Sequence, residues 1–73
     1  MPRFYFHVHN EGLNLGAIEE DLPEESMAVP TARGVARELL ADFERGWSSA
    51  FIEVTDERGV LVGVIPLSDF VLQ

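Results

Sequence analysis

Two histidines near the N-terminus, His7 and His9, are the residues best suited to chemistry. They lie two positions apart in a stretch that alternates like a β-strand, which sends both imidazoles to one face with Cβ atoms roughly 7 Å apart. Two imidazoles so placed can bind one metal ion, provided that a carboxylate supplies a third ligand. Glu53 and Glu11 are the nearest candidates. The pattern therefore predicts a metal site of His7, His9 and Glu53, with a polar, partly exposed sheet face as the plainer alternative.

Nucleophilic catalysis has less support. The serines and threonines are not in the strand–turn–helix setting of a nucleophile elbow, and a triad would need a histidine beside one of them with a buried acid behind it. The acidic side chains Glu19, Glu20, Glu24 and Glu25 are typical of a solvated surface, and no glycine-rich phosphate loop is present. We expect no catalytic residues, no cofactor and no enzyme activity. A small enzyme whose site forms only between subunits remains an alternative.

The 73 residues are enough for one domain, residues 1–73. A chain of this length buries only roughly 60% of the surface that its unfolded form exposes. Its core is therefore expected to be marginal, and domains of this size usually need further stabilisation. The absence of cysteine excludes disulfides and thiolate metal sites, so self-association into a homodimer is the leading prediction.

The formal charge of -8 comes from thirteen acidic residues and five basic residues, all arginine. This excess of negative charge repels nucleic-acid phosphates and anionic membranes, so neither is expected as a partner. A cationic protein partner remains open. The N-terminus lacks the apolar segment of a signal peptide, and no apolar run approaches the ~20 residues of a membrane helix. We expect a cytoplasmic protein.

Alternating and apolar stretches predict two β-hairpins. In the first, Phe4, Phe6 and Val8 share one strand face, and a turn rich in Asn and Gly leads to a short return strand. In the second, Ile52 and Val54 lie on one face, and the nearly all-apolar last strand is typical of a strand covered on both faces. The predicted strands are 3–9, 13–15, 50–55 and 60–65, with 16–21 as a loop or a ragged extension and 67–72 as a last turn or short edge strand.

A helical stripe separates the hairpins. Two beginnings are open: a kinked helix from about Glu24, or a short turn before a main helix that opens at Pro30, which we prefer. Gly34 inside the helix predicts a close backbone approach, and Gly46 is placed to end it. The apolar stripe comprises Ala28, Ala32, Val35, Ala36, Leu39, Leu40 and Phe43.

The order ββαββ predicts an α+β fold, with one helix on one face of a mainly antiparallel four-stranded sheet. One helix cannot cover both faces, so the other face is a predicted contact surface. It would carry Tyr5, His7 and His9 and, depending on the register, Phe51 or Leu61 and Ile65. Trp47, just past the helix, is read as a plug at the core's edge, with an interface anchor as the alternative.

Four segments resemble, in order and spacing, the short bacterial proteins of the family called domain of unknown function 6894. They are Met1–His9, Ala32–Leu40, Ile52–Gly59 and Ile65–Asp69. The chain departs from the family's pattern at Pro30 and over 16–21. The resemblance implies a single-domain bacterial protein and carries no activity with it. From residues and resemblance together we expect a non-catalytic, homodimeric interaction or scaffold domain.

Overall fold

The computed structural model describes residues 2–42 and 49–70, and structural statements here concern those residues. The two hairpins flank the helix, which confirms the predicted α+β fold and its ββαββ order. The strands are β1 (Arg3–Asn10), β2 (Leu13–Asp21), β3 (Phe51–Asp56) and β4 (Leu61–Pro66). A 3₁₀ turn (Glu25–Met27) precedes the helix α1 (Ala28–Asp42), and a second 3₁₀ turn (Leu67–Phe70) follows β4.

The four strands form one antiparallel sheet in the order β2-β1-β3-β4. Each hairpin pairs its own strands, and β1 joins the hairpins by pairing with β3. The two strands richest in buried side chains therefore lie in the middle. The outer strands, β2 and β4, each have one free edge.

The core lies between the sheet and α1, as the alternation predicted. Phe4, Phe6 and Val8 are buried together with Ile52 and Val54. The helix contributes small side chains at its closest approach, so its backbone can lie near the sheet. These buried helix residues are Ala28, Ala32 and Ala36.

The helix begins at Ala28, two residues before the start that we preferred. Pro30 lies in the first turn, where the backbone N–H groups have no partner within the helix, so its missing N–H costs nothing. The preceding 3₁₀ turn agrees with the second of the two readings, a short turn before the main helix. Phe43 and the helix end expected at Gly46 lie outside the described residues.

Strand β2 is much longer than predicted, since it includes the segment 16–21 that was read as a loop. The pairing shifts at Val8/His9, where Val8 pairs with Gly16 and His9 with Asn14, so Leu15 is bulged. Gly16 has φ 123, which favours glycine, and its N–H donates to Asn14 Oδ1 at 2.9 Å. The bulge hid the strand because it breaks the period-two pattern.

The expectation that β4 is covered on both faces is wrong. It is an edge strand, with Leu61 55% and Val64 49% exposed. Its helix-facing side is tight, because a Cβ added to Gly63 would lie 3.0 Å from Val29 Cγ2. The predicted close approach at Gly34 is not found either, since a Cβ there would meet none of the residues that the structure describes within 4 Å.

Among the described residues, no helix combines the length and the apolar character that crossing a membrane requires.

Candidate functional site

The sheet face turned away from α1 is the candidate site, and we call it the open face. Register places its residues side by side: Tyr5 is opposite Thr55, His7 opposite Glu53, and His9 opposite Phe51. These six central side chains are half-buried, because they pack against one another on the pleated surface. Strand β4 extends the face with Leu61, opposite Thr55, and Val64, opposite Glu53. The open face thus comprises Tyr5, His7, His9, Phe51, Glu53, Thr55, Leu61 and Val64.

His7 is held by a diagonal contact across the two central strands. Its Nε2 lies 3.0 Å from Thr55 Oγ1, a hydrogen bond in which either atom can donate, depending on the tautomer of the ring. On its own strand, His7 stacks beside Tyr5 with ring centroids 6.4 Å apart. The imidazole is therefore fixed within the face.

His9 has an apolar neighbour and an acidic one. Its ring stacks on Phe51, with centroids 4.8 Å apart and planes 15° apart. Its Nε2 lies 3.5 Å from Glu53 Oε1, close enough for an ion pair when the imidazole is protonated. The same Nε2 is inaccessible to solvent and makes no hydrogen bond within the described residues. We read the contact as electrostatic, since 3.5 Å is too long for a well-formed hydrogen bond.

The predicted metal site gains no support from this geometry. His7 is engaged with Thr55, whereas His9 and Glu53 form a separate contact. The described residues contain no group of three or more His, Cys, Asp or Glu side chains able to hold a metal ion. Glu11, the other suggested ligand, is exposed in the β1–β2 turn with φ 53. Metal binding by His7, His9 and Glu53 therefore stays a prediction.

The predicted contact residues Tyr5, His7 and Phe51 do share one face. Ile65, offered with Leu61 as a register-dependent member, is instead buried beneath α1. Val64 was missed, because β4 has no polar residue to show which of its side chains point outward. The alternation from buried Ile65 would have found it once the strand was known to be an edge. Trp47 lies outside the described residues.

Charge is arranged around the open face rather than at its centre. At one corner, Arg3 Nε donates to Asp21 Oδ1 at 3.0 Å, and Arg3 Nη1 lies 3.4 Å from Glu19 Oε1. The hydrogen bond to Asp21, followed by the charge of Asp21, raises the pKa of the Arg3 guanidinium. Glu53 on β3 lies against His9, and Glu19 lies opposite Tyr5 on the same face. The centre carries the rings of Tyr5, His7, His9 and Phe51, with Glu53 and Thr55 beside them.

The comparisons with known proteins supply a family and no activity. No curated protein and no solved structure matches the chain significantly. The family model described as "Domain of unknown function (DUF6894)" matches residues 3–68, nearly the whole chain. The resemblance rested on four separate segments, whereas the family model matches one continuous range. The chain therefore belongs to the DUF6894 family of domains of unknown function.

Proposed function

We propose that the protein is a non-catalytic interaction domain that forms a homodimer through its open face. The observation that carries the proposal is the exposure of Leu61 and Val64 on β4, on the same face as Phe51 on β3 and the rings of Tyr5 and His7 on β1. Together they form an apolar and aromatic surface that the described residues leave uncovered. Contiguous surfaces of this kind mark contact sites more often than singly exposed apolar residues do.

The size of the core supports self-association. Among the described residues, four of the twelve buried apolar residues are alanines, which remove little apolar surface from water. A second copy would cover the open face and add the burial that the small core lacks. The gain would appear as a rise in stability with protein concentration.

The acidic side chains at the open face have basic neighbours. Two molecules of charge -8 repel each other, so they can approach only where acidic groups are few or compensated. Glu53 lies 3.5 Å from His9, and Glu19 at the rim lies 3.4 Å from Arg3. Glu19 therefore has a basic partner at the rim of the open face, and Glu53 has one when His9 is protonated.

Pairing through an edge strand is the weaker form of the proposal. Strand β2 is bulged at Leu15, and its far end carries three consecutive acidic residues, 19–21. Strand β4 is interrupted as well, since Val54 pairs with Gly63 and Thr55 with Leu61, which leaves Val62 bulged. Bulges and edge charges are the usual means by which proteins prevent edge-to-edge pairing.

The dimer is expected to be weak. Four strands about 4.8 Å apart and some six residues long give a footprint of only about 300–400 Å² per subunit. Stable interfaces bury about 800 Å² per partner, so we expect dissociation in the micromolar range or above. Such a dimer suits a reversible scaffold better than a permanent assembly.

The experiment is sedimentation velocity from about ten micromolar to one millimolar, with native mass spectrometry to count bound ions. The wild-type mass should rise toward the dimer with concentration. Val64→Glu should stay monomeric, because it places a charge in the open face. The matched control is Val60→Glu: Val60 is 57% exposed and pairs with Asp56, on the sheet side opposite the open face.

Two results would contradict the proposal. One is a wild-type monomer at every concentration. The other is an equal loss of dimer in Val64→Glu and Val60→Glu, which would mean that the added net charge, and not its position, prevents association. A stoichiometric metal adduct that disappears in His7→Ala would replace the proposal with the metal-binding alternative.

A further inference from the structure

Two arginines of α1 share one aromatic ring. The guanidinium carbon of Arg33 lies 4.7 Å from the centroid of the Phe70 ring, and that of Arg37 lies 5.4 Å from it. Phe70 belongs to the 3₁₀ turn after β4 and packs against the core, so the ring is a fixed platform. Both arginines are exposed. Two positive charges thus lie against one ring on the surface of an acidic protein.

The arrangement is electrostatically costly. Like charges at positions i and i+4 of a helix repel, and Arg33 and Arg37 are spaced in this way. The positions three and four residues from either arginine hold no acidic residue. Neither arginine has a carboxylate of the described residues within 4.0 Å, although Glu38 and Asp69 are close in sequence. Cation–π contacts hold the side chains in place but leave both charges uncompensated.

The longest acidic segment of the described residues, 19–21, is too far away to cancel this charge. The acidic segment 19–21 lies on β2, whereas α1 and Phe70 pack on the β4 side of the sheet. Three strand spacings separate β2 from β4, a distance of about 14 Å. That exceeds the screening length of about 8 Å at physiological salt. The acidic segment 19–21 therefore does not neutralise the arginine pair.

We propose that Arg33, Arg37 and Phe70 form a phosphate-binding site. Two guanidinium groups match the two negative charges of a phosphate, whereas one would suffice for a carboxylate. Each guanidinium presents N–H donors in a planar fork, and stacking on the same ring orders both forks before the ligand binds. The bound phosphate compensates the repulsion between the arginines. The site is independent of the open face and of dimer formation.

The test is an NMR titration of ¹⁵N-labelled protein with sodium phosphate, against sodium chloride of equal ionic strength. The Nε–Hε signals of Arg33 and Arg37 should shift and saturate at about millimolar phosphate, and chloride should not reproduce the shift. Arg33→Gln and Arg37→Gln should each weaken binding at least about tenfold. Phe70→Leu should weaken it with both arginines retained, because the platform that orders them is lost.

Arg58→Gln is the matched control. Arg58 is exposed in the β3–β4 turn, and its loss changes the net charge by the same single unit. It should bind phosphate like the wild type. Equal weakening in Arg58→Gln and Arg33→Gln would overturn the proposal, since the effect would then reflect net charge alone.

A second titration distinguishes the two sources of phosphate. Tighter binding of N-acetylphosphoserine amide than of inorganic phosphate would support a phosphate carried on a larger molecule. The reverse order would support the free ion. Unchanged arginine signals with both ligands would overturn the proposal. If Arg33→Gln then also lowered the free energy of unfolding, the arginine pair would have a structural role, in holding the last 3₁₀ turn.

Discussion

The imidazole of His9 lies flat against the phenyl ring of Phe51, with centroids 4.8 Å apart. The two residues are far apart in sequence and meet because β1 and β3 pair directly. The contact therefore joins the two hairpins through side chains as well as through backbone hydrogen bonds. It also orders part of the open face before any partner binds.

The His9–Phe51 stack should contribute measurably to stability. A double-mutant cycle with His9→Ala and Phe51→Ala should give a coupling energy of about 0.5–1 kcal/mol, as expected for close aromatic pairs. The measurement is the free energy of unfolding in urea. Tyr5 and His7, with centroids 6.4 Å apart, are the comparison pair and should couple less. A larger coupling for Tyr5 and His7 would show that ring distance does not set the energy here.

Two glycines should respond oppositely to alanine. Gly63→Ala should destabilise the fold by about 1–2 kcal/mol, because the new Cβ would meet the stiff side chain of Val29 at 3.0 Å. Gly34→Ala should stabilise it by roughly 0.5–1 kcal/mol, since the site is open and helical. Urea unfolding measures both. Val29→Ala should reduce the cost of Gly63→Ala, and an undiminished cost in that background would locate the strain elsewhere.

The close packing of α1 on the sheet should reject larger side chains. Ala32 is fully buried, so Ala32→Leu should cost about 1–3 kcal/mol through displacement of the helix. Ala41 is exposed on the same helix, and Ala41→Leu is the matched control, with an expected change within about 0.5 kcal/mol. Thermal unfolding followed by circular dichroism compares the two. Similar losses for both variants would mean that helix propensity, not packing, decides the outcome.

Asp56 should make the β3–β4 turn sensitive to acid. Its Oδ1 accepts hydrogen bonds from the N–H groups of Val60 and Arg58, each at 2.9 Å. The bond from Val60 lowers the carboxyl's pKa below its usual 3.8. A lowered folded-state pKa contributes stability that is present above pH 3.8 and lost as the pH falls through the lower value.

Asp56→Asn keeps an acceptor oxygen but removes the charge. Its urea midpoint should therefore lie below that of the wild type at pH 6, and the two should converge as the pH falls through the lowered pKa of Asp56. Asp56→Ala, which removes the acceptor as well, should be less stable than Asp56→Asn at pH 6. A difference between wild type and Asp56→Asn that does not change with pH would contradict the assignment of the effect to this carboxylate.

Some elements could be predicted because their pattern is local. Phe4, Phe6 and Val8 alternate without interruption, and the helical stripe repeats cleanly from Ala28 to Leu40. Strand β2 could not be predicted over its full length, because the bulge at Leu15 and Gly16 shifts the alternation by one residue. Strand β4 gave no sign of its exposure, because an all-apolar run looks the same whether one face or two are covered.

The candidate site, likewise, could be predicted from the sequence only in part. His7 and His9 could be placed on one face from their spacing alone. Their partners could not, since Thr55 and Phe51 become neighbours only when β1 pairs with β3. The arginine pair on Phe70 was not anticipated, although the spacing of Arg33 and Arg37 already put them on one side of a helix.

The sequence by itself determined the element types, their order and, on β1, β3 and α1, which side chains share a face, because these follow from backbone periodicity within a few residues. Tertiary structure alone decided the strand order, the register and the edges. Those depend on contacts between distant segments, such as β1 with β3, whose free energy no local pattern contains. The open face and the arginine pair both depend on such contacts between distant segments. Local sequence supplied their residues, and the pairing of distant strands brought them together.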